Sequence, residues 1–223
     1  MVRSGLLLFT VVVATLAAGC SSDKGTDADR AKRSEPATVP NKGPGDIASN
    51  DAKDFIQHLT IVNTTEVDLG KLAVGRGTAE EVKKFARMMV DDHTASGDKL
   101  KTLASDLRVE PKGQADDAQR DQQQKLEKLS GAEFDREYAS AMVDSHKDLI
   151  DQLEPRVDKK TLDQWKLEIE GKTKMAAGSV ALLPDKSENP TTMRVNQFAA
   201  GLYPTVYAHL EAARALKGSL EKR

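Results

Sequence analysis

Glu66, His93, His146 and His209 are the residues of this chain whose type and place could do chemistry. Two of the histidines follow the same lead-in, Met-Met-Val-Asp-Asp-His at 88–93 and Met-Val-Asp-Ser-His at 142–146, in a chain with only four histidines. Imidazole nitrogens with a carboxylate oxygen suit zinc, copper, nickel or iron(II), and the Irving–Williams order makes copper the tightest divalent competitor. Three histidines and one glutamate would furnish one mononuclear site. Asp92 and Asp144, one and two residues ahead of their histidines, could orient the imidazoles from behind. The same residues also fit a buried hydrogen-bond network, with Tyr138, Tyr207, Asp92 and Glu66 satisfying the histidines and fixing helix register. On sequence alone both readings stand.

The elements that must position these groups are helices. From Asn50, a candidate cap, an apolar stripe runs Phe55, Leu59, Val62, position 66, Leu69 and Leu72/Ala73, in steps of three and four that trace one helical face. Gly75 and Gly77 close it. Thr78-Ala-Glu-Glu81 has the form of a capping box and opens a second stripe, Val82, Phe85/Ala86, Met89, position 93, Gly97, Leu100, Leu103 and Leu107. Residues 114–129 read as a short polar helix or a long loop. Ser130-Gly-Ala-Glu133, a second such box, opens Phe134, Tyr138, Met142, position 146, Leu149 and Leu153, stopped by Pro155. The last pattern starts at Asn189-Pro190, is interrupted by Gly201 and Pro204, and continues as Val206, position 209, Ala213, Leu216 and Leu220. No stretch keeps a period of two for a strand's length, so the class expected is all-α, an up-down four-helix bundle.

The four ionisable residues fall one per helix, each where the stripe calls for Leu or Val, while His58 lies on no clear face. A buried ionisable group costs several kcal/mol unless paired or ligated, so four together point to a shared purpose. At 1.5 Å rise per residue their levels in the bundle scatter by about two turns, which helix-end placement can absorb. Bonds of roughly 2.0–2.2 Å to one ion imply mutual separations of about 3–5 Å. Gly70 and Gly97 read as close-packing points.

The first twenty residues, MVRSGLLLFTVVVATLAAGC, have the shape of a targeting segment: Arg3, an apolar run from Leu6 to Leu16, small residues, then Cys20. That run is shorter than the roughly 20 residues of a transmembrane helix. Ala-Gly-Cys resembles a bacterial lipobox, which makes 1–19 a lipoprotein signal peptide and Cys20 the lipidated first residue, although Ala17 stands where Leu is usual. Ser21 follows where Asp would imply inner-membrane retention, so the lipobox resemblance implies the periplasmic face of the outer membrane. Residues 20–49, rich in Pro, Gly, Ser and mixed charge, read as a disordered tether, leaving 50–218 as the helical domain. Cys20 is the only cysteine, which excludes a disulfide framework or a thiol nucleophile in that domain. A net charge of −2 and 4% aromatic residues offer nothing to nucleic acid. No phosphate loop, nucleophile elbow or dinucleotide fingerprint appears.

Glu66-Val-Asp-Leu-Gly-Lys-Leu-Ala73, Val82 to His93, Ser130-Gly-Ala-Glu-Phe-Asp135, Met142-Val-Asp-Ser-His146 and Leu202-Tyr-Pro-Thr-Val-Tyr-Ala-His-Leu210 together resemble domain-of-unknown-function family 4142, exported bacterial proteins of the ferritin-like superfamily. The resemblance implies a ferritin-like four-helix bundle and an extracytoplasmic address; the family's activity is unestablished, so it lends no reaction. Ferritin-like di-iron sites take Glu-x-x-His from two helices. Here Val90, Val143 and Val206 stand three residues before the histidines, which argues against a di-iron oxidase and, more broadly, against an enzyme. The chain departs from the family in an insert, about 156–188, where Leu162, Trp165 and Ile169 read as helical and which could meet a protein partner. Three classes result: an envelope lipoprotein that binds a divalent metal through Glu66, His93, His146 and His209, a structural or interaction module with a polar core, and, third, the disfavoured oxidase.

Overall fold

In the computed structural model, residues 48–112, 115, 117–171 and 180–222 are described. The stretch expected to be a signal peptide, Cys20 and nearly all of the expected tether therefore lie outside the described residues, as does part of the insert expected at about 156–188. The chain forms α1 (Asn50–Arg76), α2 (Glu80–Asp106), α3 (Asp117–Lys128), α4 (Gly131–Leu153), α5 (Lys159–Gly171) and α6 (Pro190–Leu220), with one 3-10 turn at Glu154–Arg156. The class is all-α. Among the described residues the only extended pairing is an isolated bridge between Val157 and Pro184.

Four long helices share the core: α1 packs on α2 and α4, and α6 packs on α4 and α2. Phe55, Leu59, Val62, Leu69, Phe85, Met89, Leu100, Phe134, Met142 and Leu149, the stripe positions, are all buried. Each such side chain contributes roughly 1.5–3 kcal/mol on leaving water, so the alternation of apolar steps with surface charge sets which face turns inward. Gly70 marks the α1–α2 crossing, where a Cβ would lie 2.8 Å from Val90 Cγ2 and 3.2 Å from the Ala86 carbonyl.

The helix ends depart from the local rules. Ser49, not Asn50, caps α1, its Oγ accepting from Ala52 N at 3.2 Å. Neither apparent capping box forms, since the caps Ala79 and Ser130 make no side-chain hydrogen bond to the helix they start. Buried Asp135 of α4 instead accepts from Thr78 N, Thr78 Oγ1 and Ala79 N at 3.0, 2.5 and 2.9 Å, so the start of α2 is capped from another helix. A neighbour presented by the fold displaced the local partner, which no sequence window could display. Asn189 does cap α6, accepting from Thr191 N and Thr192 N. That helix runs unbroken through Gly201 and Pro204, contrary to the interruption expected there. Its buried flank, Ala199, Ala200, Tyr203 and Val206, supplies the packing that offsets an interior proline.

The polar stretch after α2 includes the short helix α3, whose one buried residue is Leu126. Within the insert, α5 lays Trp165 edge-on against Tyr203 and Tyr207 at 5.5 and 5.1 Å, so this part of the insert covers a flank of α6. The returning chain is tied by Asp158 N to the Leu183 carbonyl and Asp185 N to the Arg156 carbonyl. Leu167 of α5 and Leu183 of the returning chain remain exposed. No described helix is long and apolar enough to cross a membrane.

Candidate metal centre

His93 comes from α2, His146 from α4 and His209 from α6, each replacing an apolar residue in its stripe, and all three are buried. Their ring centroids form a near-equilateral triangle with sides of 5.6, 5.4 and 5.4 Å. One ligand-capable nitrogen from each lies within 4.8 Å of the others. That is inside the range of about 3–5 Å that bonds to a common ion imply.

Each ring is fixed through one nitrogen and leaves the other unpaired. His146 Nδ1 meets the Met142 carbonyl, one turn back in α4, at 2.8 Å. His209 Nε2 meets Asp92 Oδ2 of α2 at 2.9 Å. His93 Nδ1 meets Asn63 Oδ1 of α1 at 3.2 Å, while Asn63 Nδ2 donates to the His93 carbonyl at 2.6 Å. A carbonyl can only accept, so the second of those bonds fixes which end of the Asn63 amide is oxygen. All three contacted groups are thus acceptors, the contacted nitrogens carry the protons, and His146 Nε2, His209 Nδ1 and His93 Nε2 are bare lone pairs. Those three nitrogens are buried without a hydrogen-bond partner.

Electrostatics hold two of the rings, His93 and His209, toward the neutral form. Burial, then His146 and His209, push the His93 imidazole down to about 3. Burial also lowers His209, against the raising effect of its bond to Asp92. Neutral imidazole is the form that ligates a metal.

Glu66 lies behind the triad. Its Oε1 accepts from Ser145 Oγ at 2.5 Å and stands 3.9 Å from His146 Nδ1, the nitrogen already bonded to Met142. Oε2 is buried without a partner, as is the Tyr138 hydroxyl. Burial raises the Glu66 carboxyl above its usual range, opposed by His146 and Ser145, and burial followed by Glu66 raises Tyr138. Asp92 contacts His209 across helices and not the adjacent His93, and Asp144 is exposed. His58 is half-buried and outside the triad. Tyr207 packs its ring on Trp165.

Asn63 and Gly97 were absent from the candidate site. Asn63 stands three residues before Glu66, hence on the same face of α1, and that spacing was the available signal. A Cβ at Gly97 would lie 2.7 Å from Asn63 Nδ2, so this glycine makes room for the amide that orients His93.

The model of one protein family, described as Domain of unknown function (DUF4142), matches residues 37–166, more than half of the chain. The chain belongs to that family. The match takes in Asn63, Glu66, His93 and His146 and ends within α5, so α6 with His209 lies beyond it. No curated protein and no solved structure matches the chain.

Proposed function

We propose that this member of the DUF4142 family is an envelope-tethered, ferritin-like lipoprotein whose function is to bind a single metal ion through His93, His146 and His209. The observation that carries the reading is three buried histidines with a nitrogen of each within 4.8 Å of the others, one nitrogen of every ring being held by an acceptor and the other unpaired. An unsatisfied buried acceptor costs roughly 1–3 kcal/mol. A water between the rings could donate to two of them and no more. One ion satisfies all three, with Asn63, the Met142 carbonyl and Asp92 setting ring orientation in the way that outer hydrogen bonds do around metals.

Three imidazoles without a thiolate favour zinc or copper, with a fourth position left for water or another ligand. Glu66 serves as a neighbouring acid behind His146, outside the set of ligands. The structural-network alternative accounts for the three satisfied nitrogens and leaves the other three unexplained. Anchoring through lipidated Cys20 belongs to the same proposal. Its support is the small-residue run before Cys20 and the polar stretch after it, and replacing Cys20 by Ala should release the protein from the membrane fraction.

The deciding experiment is metal analysis of the full-length protein purified without a polyhistidine tag and then offered zinc(II) or copper(II). One tightly held ion per chain, lost in H93A and H146A, is the expected result. A folded wild-type protein that takes up neither ion stoichiometrically would leave the histidines a structural network.

A further inference from the structure

A small cavity adjoins the triad on one side. It has a volume of about 20 Å³, and His93 and His209 are in its wall while His146 is not. That is room for about one water-sized molecule. Most of its lining is apolar, with Leu59, Val62, Leu100, Phe198, Leu202 and Val206 contributing. A separate groove of about 310 Å³ lies outside it between α2 and α6, bordered by Lys99, Gln197 and Gly201. Cavity and groove share Asp92, Ser96, Phe198, Leu202 and Thr205 as common walls. Three of these, Ser96, Phe198 and Leu202, are half-buried, and Asp92 and Thr205 are exposed, so the shared walls lead from the surface to the two histidines. A Cβ added at Gly201 would meet nothing within 4 Å, which leaves the outer groove unobstructed there.

Resting on the metal reading above, we infer that an ion in the triad keeps one coordination position open toward this cavity, and that the position takes a small, weakly polar ligand of diatomic size arriving between α2 and α6. Three protein nitrogens complete only part of a tetrahedral shell, and a fourth ligand can approach only where side chains leave space. Two unpaired nitrogens, His93 Nε2 and His209 Nδ1, belong to rings in the cavity wall. The apolar lining offers a charged or strongly hydrated ligand little to replace its water, whereas a diatomic molecule loses almost nothing on entering. Copper(I) is a suitable probe of that position, since imidazole nitrogens bind copper and one nitrogen of each ring is already held in place by an acceptor.

Carbon monoxide bound to copper(I) tests this directly. The full-length protein is loaded anaerobically with copper(I), exposed to carbon monoxide, and read by the infrared stretch of the adduct and by rebinding after flash photolysis. One carbon monoxide per copper is expected. In L202W, and independently in S96F, bulk at the shared walls should slow rebinding at least tenfold with copper content unchanged. Copper binding with no carbon monoxide adduct would overturn this inference alone, because the triad would then be a closed shell. Unaltered rebinding in both variants, each folded and copper-loaded, would overturn the route between α2 and α6. Failure of the wild-type protein to bind copper(I) while it takes up zinc(II) would overturn this inference and leave the metal reading standing, and failure to take up either metal would overturn both.

Discussion

Asp135 and the three histidines are polar groups sunk in the same apolar core, and they resolve their burial in opposite ways. Asp135 is 2% exposed, and both its oxygens accept hydrogen bonds from the start of α2. It closes on itself. The histidines are equally deep, yet each is bonded on one ring nitrogen and leaves the other bare. A buried polar group kept for architecture tends to be fully satisfied, because every missing bond subtracts from stability. A group kept for binding must hold something in reserve. The contrast is what sets the proposed site apart from a joint such as Asp135.

The largest expected effect breaks the comparison on the side of the site. A ligand present at about a thousand times its dissociation constant stabilises the folded state by about 4 kcal/mol. Wild-type protein with excess copper(II) or zinc(II) should gain stability of that order in chemical denaturation, and H146A should gain none. Equal metal-induced stabilisation in H146A would mean that the ion sits elsewhere. On the side of the joint, D135A should lose about 3 kcal/mol by removing an acceptor whose buried donors are left unpaired. That loss should be the same with and without metal. A D135A protein whose deficit disappears on adding metal would erase the distinction between the two centres.

Acid should next sharpen it. His93 is held down to about 3 in the folded chain, against 6.5 as its ordinary value. Its folded value is depressed, so the unfolded chain binds the proton first. Stability is intact above about pH 6.5 and falls as the pH drops toward 3. At pH 5 the expected loss from this group is on the order of 2 kcal/mol. Glu66 acts with the opposite sign: its raised value means stability is lost as the pH rises above the ordinary 4.5. The two partly cancel in the wild-type protein between pH 5 and 7. E66Q should therefore be more stable than wild type at pH 7 and should show a steeper acid loss, readable in metal-free denaturation curves. A flat profile in E66Q would contradict the burial of a neutral His93.

The stripes were legible because apolar steps of three and four residues are local, and the ten core residues chosen from them are buried. That each histidine faces the core was legible for the same reason; that the three share one level was not, because helix-end placement left their levels scattered by about two turns, and Glu66, expected to join them, stands apart. Partners across helices were not. Asp92 sits beside His93 in sequence and bonds His209, because adjacent helical residues point about 100° apart. The capping box read at Thr78 misled because Asp135, distant in sequence, reaches the start of α2. Pro204 read as an interruption, yet tertiary packing along α6 carries the helix through it.

The smallest effect tests the finest part of the distinction, whether the outer hydrogen bonds serve the lone pairs or only the fold. Asn63 is joined to α2 twice, accepting from His93 Nδ1 and donating to the His93 carbonyl. Gly97, one turn beyond His93, leaves the space it occupies. In G97A the new methyl group would stand 2.7 Å from Asn63 Nδ2, so the amide must shift by several tenths of an ångström. Alanine is otherwise the better helix former by about 1 kcal/mol, so the variant need not lose stability. The shift should instead release His93 to turn and lower metal affinity about tenfold, the low end for an outer partner of a ligating histidine. N63A should weaken affinity at least as much, and N63A combined with G97A should be no weaker than N63A alone, since the glycine then has no amide to accommodate. Metal titrations of the four proteins check this. A G97A protein that binds metal as tightly as wild type would place Asn63 with Asp135, among the groups that hold the fold and leave the site untouched.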